Sequence, residues 1–261
     1  MIPSAKVLWG EGLFLRPQHF QQQDRWTESL IRGVTRALRP HPWGLIDFAI
    51  DRDLLGTGRF ALSSASGVFE DGTPFMLPGE ADHPAPLDVP DSARNILVYL
   101  ALPIRQPGGV EVSDDGLEGR YGARAFEAYD TQSASSIPAE LYVARPRMRF
   151  MLETEERTGY QCIAVARITE IAADKRVSLD ERWIPPSLVC TAAQPLAGLI
   201  AELAGIDTRA LVRLAKGQTN LALDDMREAY GDAFRAPPLL RQMVAAGRLG
   251  RKSGRGFYDY S

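Results

Sequence analysis

The chain reads as mainly β: an antiparallel β-sandwich with an N-terminal helix and a helical C-terminal appendix. Three observations carry that expectation. From residue 45 to about 190, short apolar or alternating runs follow one another with polar turns between them and no helical repeat. Asp71-Gly72 sits between two such runs, the pattern of a tight hairpin. Helical spacing of apolar residues is confined to the two ends of the text.

At the N-terminal end, Leu13-Phe14-Leu15 is a short apolar strand. Pro17 follows Arg16, and proline fits the first turn of a helix, where its missing N–H costs nothing. Phe20, Leu30, Ile31, Val34 and Leu38 then recur at helical spacing and predict an amphipathic helix of about 20 residues. By spacing alone, this is a leading strand that docks a long helix onto a β core. The cluster Arg39-Pro40-His41-Pro42-Trp43-Gly44 ends the helix. Residues 45–50 alternate like a strand, 59–63 and 66–69 follow, and 74–77 pairs back across the hairpin turn. Residues 79–90 are a proline-rich polar loop. Residues 95–102 form a near-continuous apolar run, the best candidate for a central strand. A Gly- and Asp-rich loop occupies 105–119. Further strands fall at 141–144, 148–152 and 160–168, with a polar turn at 154–159. Trp183-Ile184-Pro185-Pro186 closes the strand region, and Leu196, Leu199, Ile200 and Leu203 then share one helical stripe.

The totals exclude several classes. With 261 residues there is enough chain for one or two domains with a sizeable core. A net charge of −3 and a pI near 5.7 give no global pull toward nucleic acid or anionic membrane. No stretch approaches the roughly 18 apolar residues of a membrane-spanning helix, and the N-terminus lacks the basic head and apolar core of a secretory signal. Cys162 and Cys190 each lie in an apolar, strand-like run and read as two reduced, buried thiols, which fits a reducing cytoplasm.

No chemistry-bearing pattern emerges. His19, beside Phe20 at the start of the helix, lacks further ligands at metal-binding spacing. Asp114-Asp115 and Glu155-Glu156 sit in turns, where solvation does not push two carboxyl pKa values apart. The run 247–253 differs from a phosphate-binding loop, because Arg251 stands where the glycine before Lys252 should be and no strand precedes it. Arg241, Arg248, Arg251, Lys252 and Arg255 form a basic turn. There is no nucleophile elbow or Cys/His pairing. The expectation is no catalytic, cofactor-binding or metal site.

The wording itself carries more than its spacing. The run Trp9-Gly10-Glu11-Gly12-Leu13-Phe14-Leu15-Arg16-Pro17-Gln18-His19-Phe20, with Gln21 to Arg25 after it, closely resembles the opening of the TssK family, baseplate subunits of the bacterial type VI secretion system. Phrases at 68–75, 98–103, 165–168 and 183–188 resemble that family in the same order, so the likeness covers about residues 1–205. The resemblance implies a β-sandwich like the shoulder of phage receptor-binding proteins. It implies a cytoplasmic homotrimer at the inner face of the secretion apparatus, gripping the wedge subunits TssF and TssG. The family's distal head, which meets the membrane complex TssJ-TssL-TssM, has no recognisable counterpart here. Within this resemblance, Trp9, Leu13, Phe14, Leu15, Arg16, His19 and Phe20 are the expected shell-packing or wedge-interface residues, aromatic and arginine anchors of the usual kind.

A second resemblance lies at the far end. Residues 220–261 are similar to the C-terminus of 3-hydroxyacyl-CoA dehydrogenases, most specifically from Pro237 to Tyr260. Pro237-Pro238 starts a helix lined by Leu239, Leu240, Met243 and Val244, and Gly247 stops it. The rival reading is therefore a fragment related to 3-hydroxybutyryl-CoA dehydrogenases. It is catalytically incomplete, because the sequence has no G-x-G-x-x-G element and no histidine follows His83. The expected organisation is a sandwich at 1–190, a helical linker at 191–218 and a helical tail at 219–261. The tail is expected to pack loosely on the sandwich or stay mobile.

Overall fold

The computed structural model describes residues 4–106, 108–113, 119–132 and 138–204. The chain divides into two units, Met1–Ala192 and Ala193–Ser261. In chain order the first unit carries α1 (Pro17–Leu38), β1 (Gly44–Ile50), a short α2 (Arg52–Leu55), β2 (Arg59–Phe60), β3 (Leu62–Val68), β4 (Pro74–Leu77) and β5 (Leu87–Asp88). Then come β6 (Ile96–Pro103), β7 (Tyr121–Ala128), β8 (Ala139–Pro146), β9 (Arg149–Leu152), β10 (Tyr160–Ile171) and β11 (Val177–Leu179). Among the described residues the strands pair antiparallel, with isolated parallel bridges at Leu45–Ser187 and Val112–Tyr121.

A three-stranded sheet has the order β1-β3-β4 and a four-stranded sheet the order β11-β10-β6-β9. Two small pairs, β2-β5 and β7-β8, complete the set. The two larger sheets share one core, so the unit is a sandwich. Leu45, Ala65, Phe75 and Leu77 enter it from the first sheet. Val98, Leu100, Leu102, Phe150, Ile163, Val165 and Ile168 enter it from the second. The apolar run expected to be central is β6, held between β10 and β9, and its alternate residues Val98, Leu100 and Leu102 are fully buried. Phe60 and Phe150 meet edge to face at 5.3 Å, a favourable geometry for two rings.

The Asp71-Gly72 turn forms as expected. Phe69 N–H bonds Thr73 O at 2.9 Å, and Gly72 takes φ 86°, open to glycine at little cost. Gly44 meets a closer constraint. Leu45 N–H bonds Pro186 O and Leu188 N–H bonds Leu45 O, both at 2.8 Å, which zips the segment after Trp183 onto β1. A Cβ on Gly44 would lie 2.8 Å from Pro186 backbone, at a φ of 129°.

Several expectations need correction. Leu13-Phe14-Leu15 is not a strand: among the described residues it has no strand partner, and it runs as irregular chain into Arg16. Residues 59–69 split at Ala61 into β2 and β3, since β2 pairs with β5 and β3 with β1 and β4. That β5 lies in the stretch read as loop. Strands β7 and β11 escaped sequence reading altogether; β7 (YGARAFEA) has no period-two pattern because both of its faces are uncovered. Cys162 is only half-buried on β10, and Cys190 is exposed, because it lies beyond the last strand at the start of a 3₁₀ turn.

Of the second unit, one helix is described, α3 (Gln194–Ala204). Its buried positions Ala197 and Ala201 lie on a different line from the expected stripe, and Leu199 is half exposed. The expected boundary at 218/219 and the tail lie outside the described residues.

Leu100→Ala is expected to cost about 2–5 kcal/mol in denaturant unfolding, since a fully buried side chain leaves a cavity. Gly44→Ala is expected to cost about 1–3 kcal/mol by the overpacking it forces against Pro186.

Candidate interaction surface

The N-terminal segment and α1 form the most unusual surface of the first unit. Helix α1 starts at Pro17, and the Arg16 backbone N–H donates to His19 Nδ1 at 3.0 Å. That bond satisfies one donor at the helix start. Trp9 lies 6.2 Å from the His19 ring and 6.4 Å from Phe20, so the opening segment folds back over the first turn. Gln22 Nε2 donates to Ala5 O at 2.8 Å, and Lys6 stands 5.0 Å over the Trp26 ring.

No residue of α1 is buried. Its half-covered positions are mainly polar: His19, Gln22, Gln23, Arg25, Glu28, Ser29 and Arg32, with Trp26 among them. The side chains that tie it to the sandwich are charged. Arg105, from the loop after β6, pairs with Glu28 at 2.7 Å and with Glu111 at 3.1 Å. Burial works against the Arg105 charge, but the two carboxylates more than offset it and hold its pKa above the usual value. Arg36 reaches Glu70 O at 3.4 Å, and Arg39 donates to Leu188 O at 2.8 Å. The apolar stripe faces the other way: Phe20, Leu30, Ile31, Val34 and Leu38 are all at least half exposed. The docking inferred from spacing therefore has the wrong face. The sandwich grips the polar side, and the apolar side is left to solvent.

The expected interface residues share this surface. Phe14 is 82 % exposed, and Trp9, Leu15 and Phe20 are half exposed, with Leu13 and Arg16 beside them. The structure brings Trp9, His19 and Phe20 together; Leu13, Phe14 and Leu15 precede them without a shared cluster. An apolar patch of this extent on one face marks a site of protein association.

Beneath it lies a node that sequence reading missed. Arg120, 2 % exposed, donates to Asp71 Oδ2, Thr73 Oγ1 and Pro103 O, each at 2.6 Å. It thus joins the β3–β4 turn, the end of β6 and the base of β7. Burial alone would raise the Asp71 carboxyl; the Arg120 charge and the Thr73 hydrogen bonds outweigh it and hold the carboxyl below its ordinary value. Nothing local distinguishes this arginine in the text, because the partners of its three short bonds are 17 to 49 residues away.

The β7–β8 ribbon projects from this node. Arg145 anchors its base to Pro78 O and Gly79 O at 2.8 and 3.1 Å. Beyond that, Phe126, Leu141 and Tyr142 are exposed.

The geometry offers little for chemistry. Among the described residues no group of three or more His, Cys, Asp or Glu could hold a metal ion. Glu155 accepts from Leu152 N–H at 2.8 Å and Arg149 at 3.3 Å, so it stabilises its turn. Burial raises the Cys162 thiol and Arg157 partly opposes this, which leaves it a weak nucleophile. Asp114-Asp115 and the basic turn at 241–255 lie outside the described residues. No described helix is long and apolar enough to cross a membrane.

Fold and surface together define a β-sandwich protein with an uncovered apolar helix, a class whose distinguishing feature is a contact face. The chain belongs to the bacterial type VI secretion family described as VC_A0110, EvfL, ImpJ, VasE, which matches residues 19–244. It is 41 % identical over 204 residues to the type VI secretion system baseplate component TssK1 of Pseudomonas aeruginosa, covering 77 % of this chain and 46 % of that one. It also matches 3-hydroxybutyryl-CoA dehydrogenase of Mycobacterium tuberculosis, 35 % identical over 134 residues, 50 % of this chain and 44 % of that one. The chain spans less than half the length of these curated relatives. Among solved structures, a crystal structure of TssK superposes with a TM-score of 0.72 at 31 % identity, over 95 % of this chain and 60 % of the other. TssK in a TssK-TssF-TssG baseplate subcomplex gives 0.70 at 26 %, over 94 % and 81 %.

Arg120→Ala is expected to lower stability by about 3–5 kcal/mol, because Asp71 would be left without its counter-charge. A depressed carboxyl contributes stability above its unfolded pKa and loses it as pH falls. The wild type should therefore lose stability below about pH 4, and Asp71→Asn should flatten that part of the profile in chemical denaturation.

Proposed function

We propose that this chain is a structural adaptor of the type VI secretion baseplate. It works as a homotrimer in the cytoplasm and presents its N-terminal domain to the wedge subunits TssF and TssG. The observation that carries this reading is the apolar face of α1 and its leading segment, which the sandwich leaves uncovered. Trp9, Leu13, Phe14, Leu15, Arg16, His19 and Phe20 serve as its contact residues, with Phe14 the most exposed anchor among them. The solved TssK-TssF-TssG subcomplex, similar in fold to this chain, supports the choice of partners. Contact with a membrane complex is not part of the proposal.

The adaptor is non-catalytic. The partial likeness to 3-hydroxybutyryl-CoA dehydrogenase supports a competing reading, a remnant that binds nicotinamide or a CoA ester. Titration with NAD and acetoacetyl-CoA separates the two: measurable nicotinamide affinity or turnover would overturn the adaptor.

Co-expressed TssF and TssG are expected to co-purify with the wild-type chain. Phe14→Asp, on an exposed side chain, should reduce that capture at least tenfold while leaving the thermal unfolding midpoint unchanged. Equal capture by wild type and variant would remove this face from the interface.

A further inference from the structure

Helix α1 is held to the sandwich from outside the core. None of its residues is buried, and no strand packs along it. Its polar contacts on the sandwich fall on turns and loops. They are Arg105 after β6, the Glu70 carbonyl in the β3–β4 turn, and the Leu188 carbonyl reached by Arg39 at the helix end. A groove of about 480 Å³ lies between Ile31 and Thr35 on the helix and Val68 and Pro74 on the sandwich. A packed helix would fill that space with interlocking side chains. The seat of α1 is therefore underfilled, and polar contacts hold it.

Opening the central contact leaves no charge alone. Glu28 meets Arg105 at 2.7 Å, and it also holds Arg32, one turn further along α1, at 3.0 Å. Arg105 in turn has Glu111 at 3.1 Å. When the Glu28–Arg105 bond breaks, each side chain keeps a counter-charge, so the large penalty of an unpaired charge does not arise. The Glu28 side chain is 43 % exposed, so water and salt screen the pair. The remaining tie along the helix, Arg36 to Glu70 O, is long at 3.4 Å.

The helix and its leading segment form one body: Ala5 O accepts from Gln22, Lys6 stands over Trp26, and Trp9 lies beside His19 and Phe20. The joint between that body and β1 is Arg39-Pro40-His41-Pro42-Trp43. There His41 takes φ 52°, a left-handed backbone uncommon outside glycine, and the proline after it narrows its choices further. The seated position thus carries strain at the joint, while weak contacts hold the helix beyond it. We propose that α1 is a hinged strap. In the chain alone it exchanges between its seat on the β3–β4 turn and a released position, turning at residues 39–43, and the Glu28–Arg105 contact sets the balance. Arg39, beside the joint, keeps Leu188 O as the pivot, and residues 4–9 travel with the helix. The strap goes beyond the adaptor reading and needs no partner protein.

The test is a distance measurement between two spin labels on the full chain. Asp24→Cys on α1 and Glu156→Cys in the β9–β10 turn are both exposed positions, labelled in a chain that also carries Cys162→Ser and Cys190→Ser. Dilution with unlabelled chain restricts the reading to distances within one copy. Raising salt from about 0.1 M to about 1 M shortens the screening length from about 10 Å to about 3 Å. The expected result is a seated distance plus a released component that grows about threefold with that change in salt. Glu28→Gln is expected to raise the released component to a similar extent at low salt and to blunt the further response to salt. Its thermal unfolding midpoint, which reports the sandwich, should stay within a few degrees of the wild type. One narrow distance at both salt concentrations, unmoved by Glu28→Gln, would overturn the strap. So would a salt response that Glu28→Gln leaves unaltered, since the hold would then lie elsewhere. Capture of TssF and TssG plays no part in this readout, so the strap and the adaptor reading stand or fall separately.

Discussion

The architecture of the first unit depends on one buried guanidinium. Arg120 reaches a turn carboxylate, a turn hydroxyl and a strand-end carbonyl at once, and each bond is short. A buried charge of this kind is costly unless nearly every donor is used, and here the side chain makes three short hydrogen bonds and a weaker fourth to the Tyr121 hydroxyl at 3.3 Å. Because its partners come from both sheets, the arginine fixes the β3–β4 turn against the end of β6. The same residue begins the ribbon, so the direction in which the ribbon leaves the sandwich is set there too.

That fixed turn is what α1 leans on. Arg36 reaches the Glu70 carbonyl, and the Arg32 stem runs beside Gly72, where a Cβ would come within 2.9 Å of it. The helix is held by charge pairs and carbonyl contacts, with Glu28 and Arg105 at the centre. Such contacts are individually modest and well solvated. They position the helix without consuming its apolar side. The result is a sandwich carrying an exposed apolar stripe, and the stripe gains its stabilisation only when another surface covers it. The sequence pattern of α1 thus becomes an exposed apolar surface through the geometry of its polar contacts.

Much of the sandwich was legible in the text. The hairpin at Asp71-Gly72, the central strand β6, the turn at 154–159 and the helix start at Pro17 all follow from neighbours within a few residues. The ribbon was half visible: Leu141-Tyr142-Val143 has strand-forming side chains, while its partner β7 is rich in Ala, Gly and charge. Arg120 was not visible at all. The residues at 9–20 that carry the family wording lie at the surface, and the apolar run among them read as a strand that does not form.

The sequence alone determined the periodicities, the breaks between them and the family resemblance, because these depend on short-range spacing and residue type. Tertiary structure decided which face of α1 is covered, which strand completes the ribbon and which arginine is buried. Those outcomes depend on partners tens of residues away, whose charges and carbonyls outcompete the apolar stripe for the inner side of the helix.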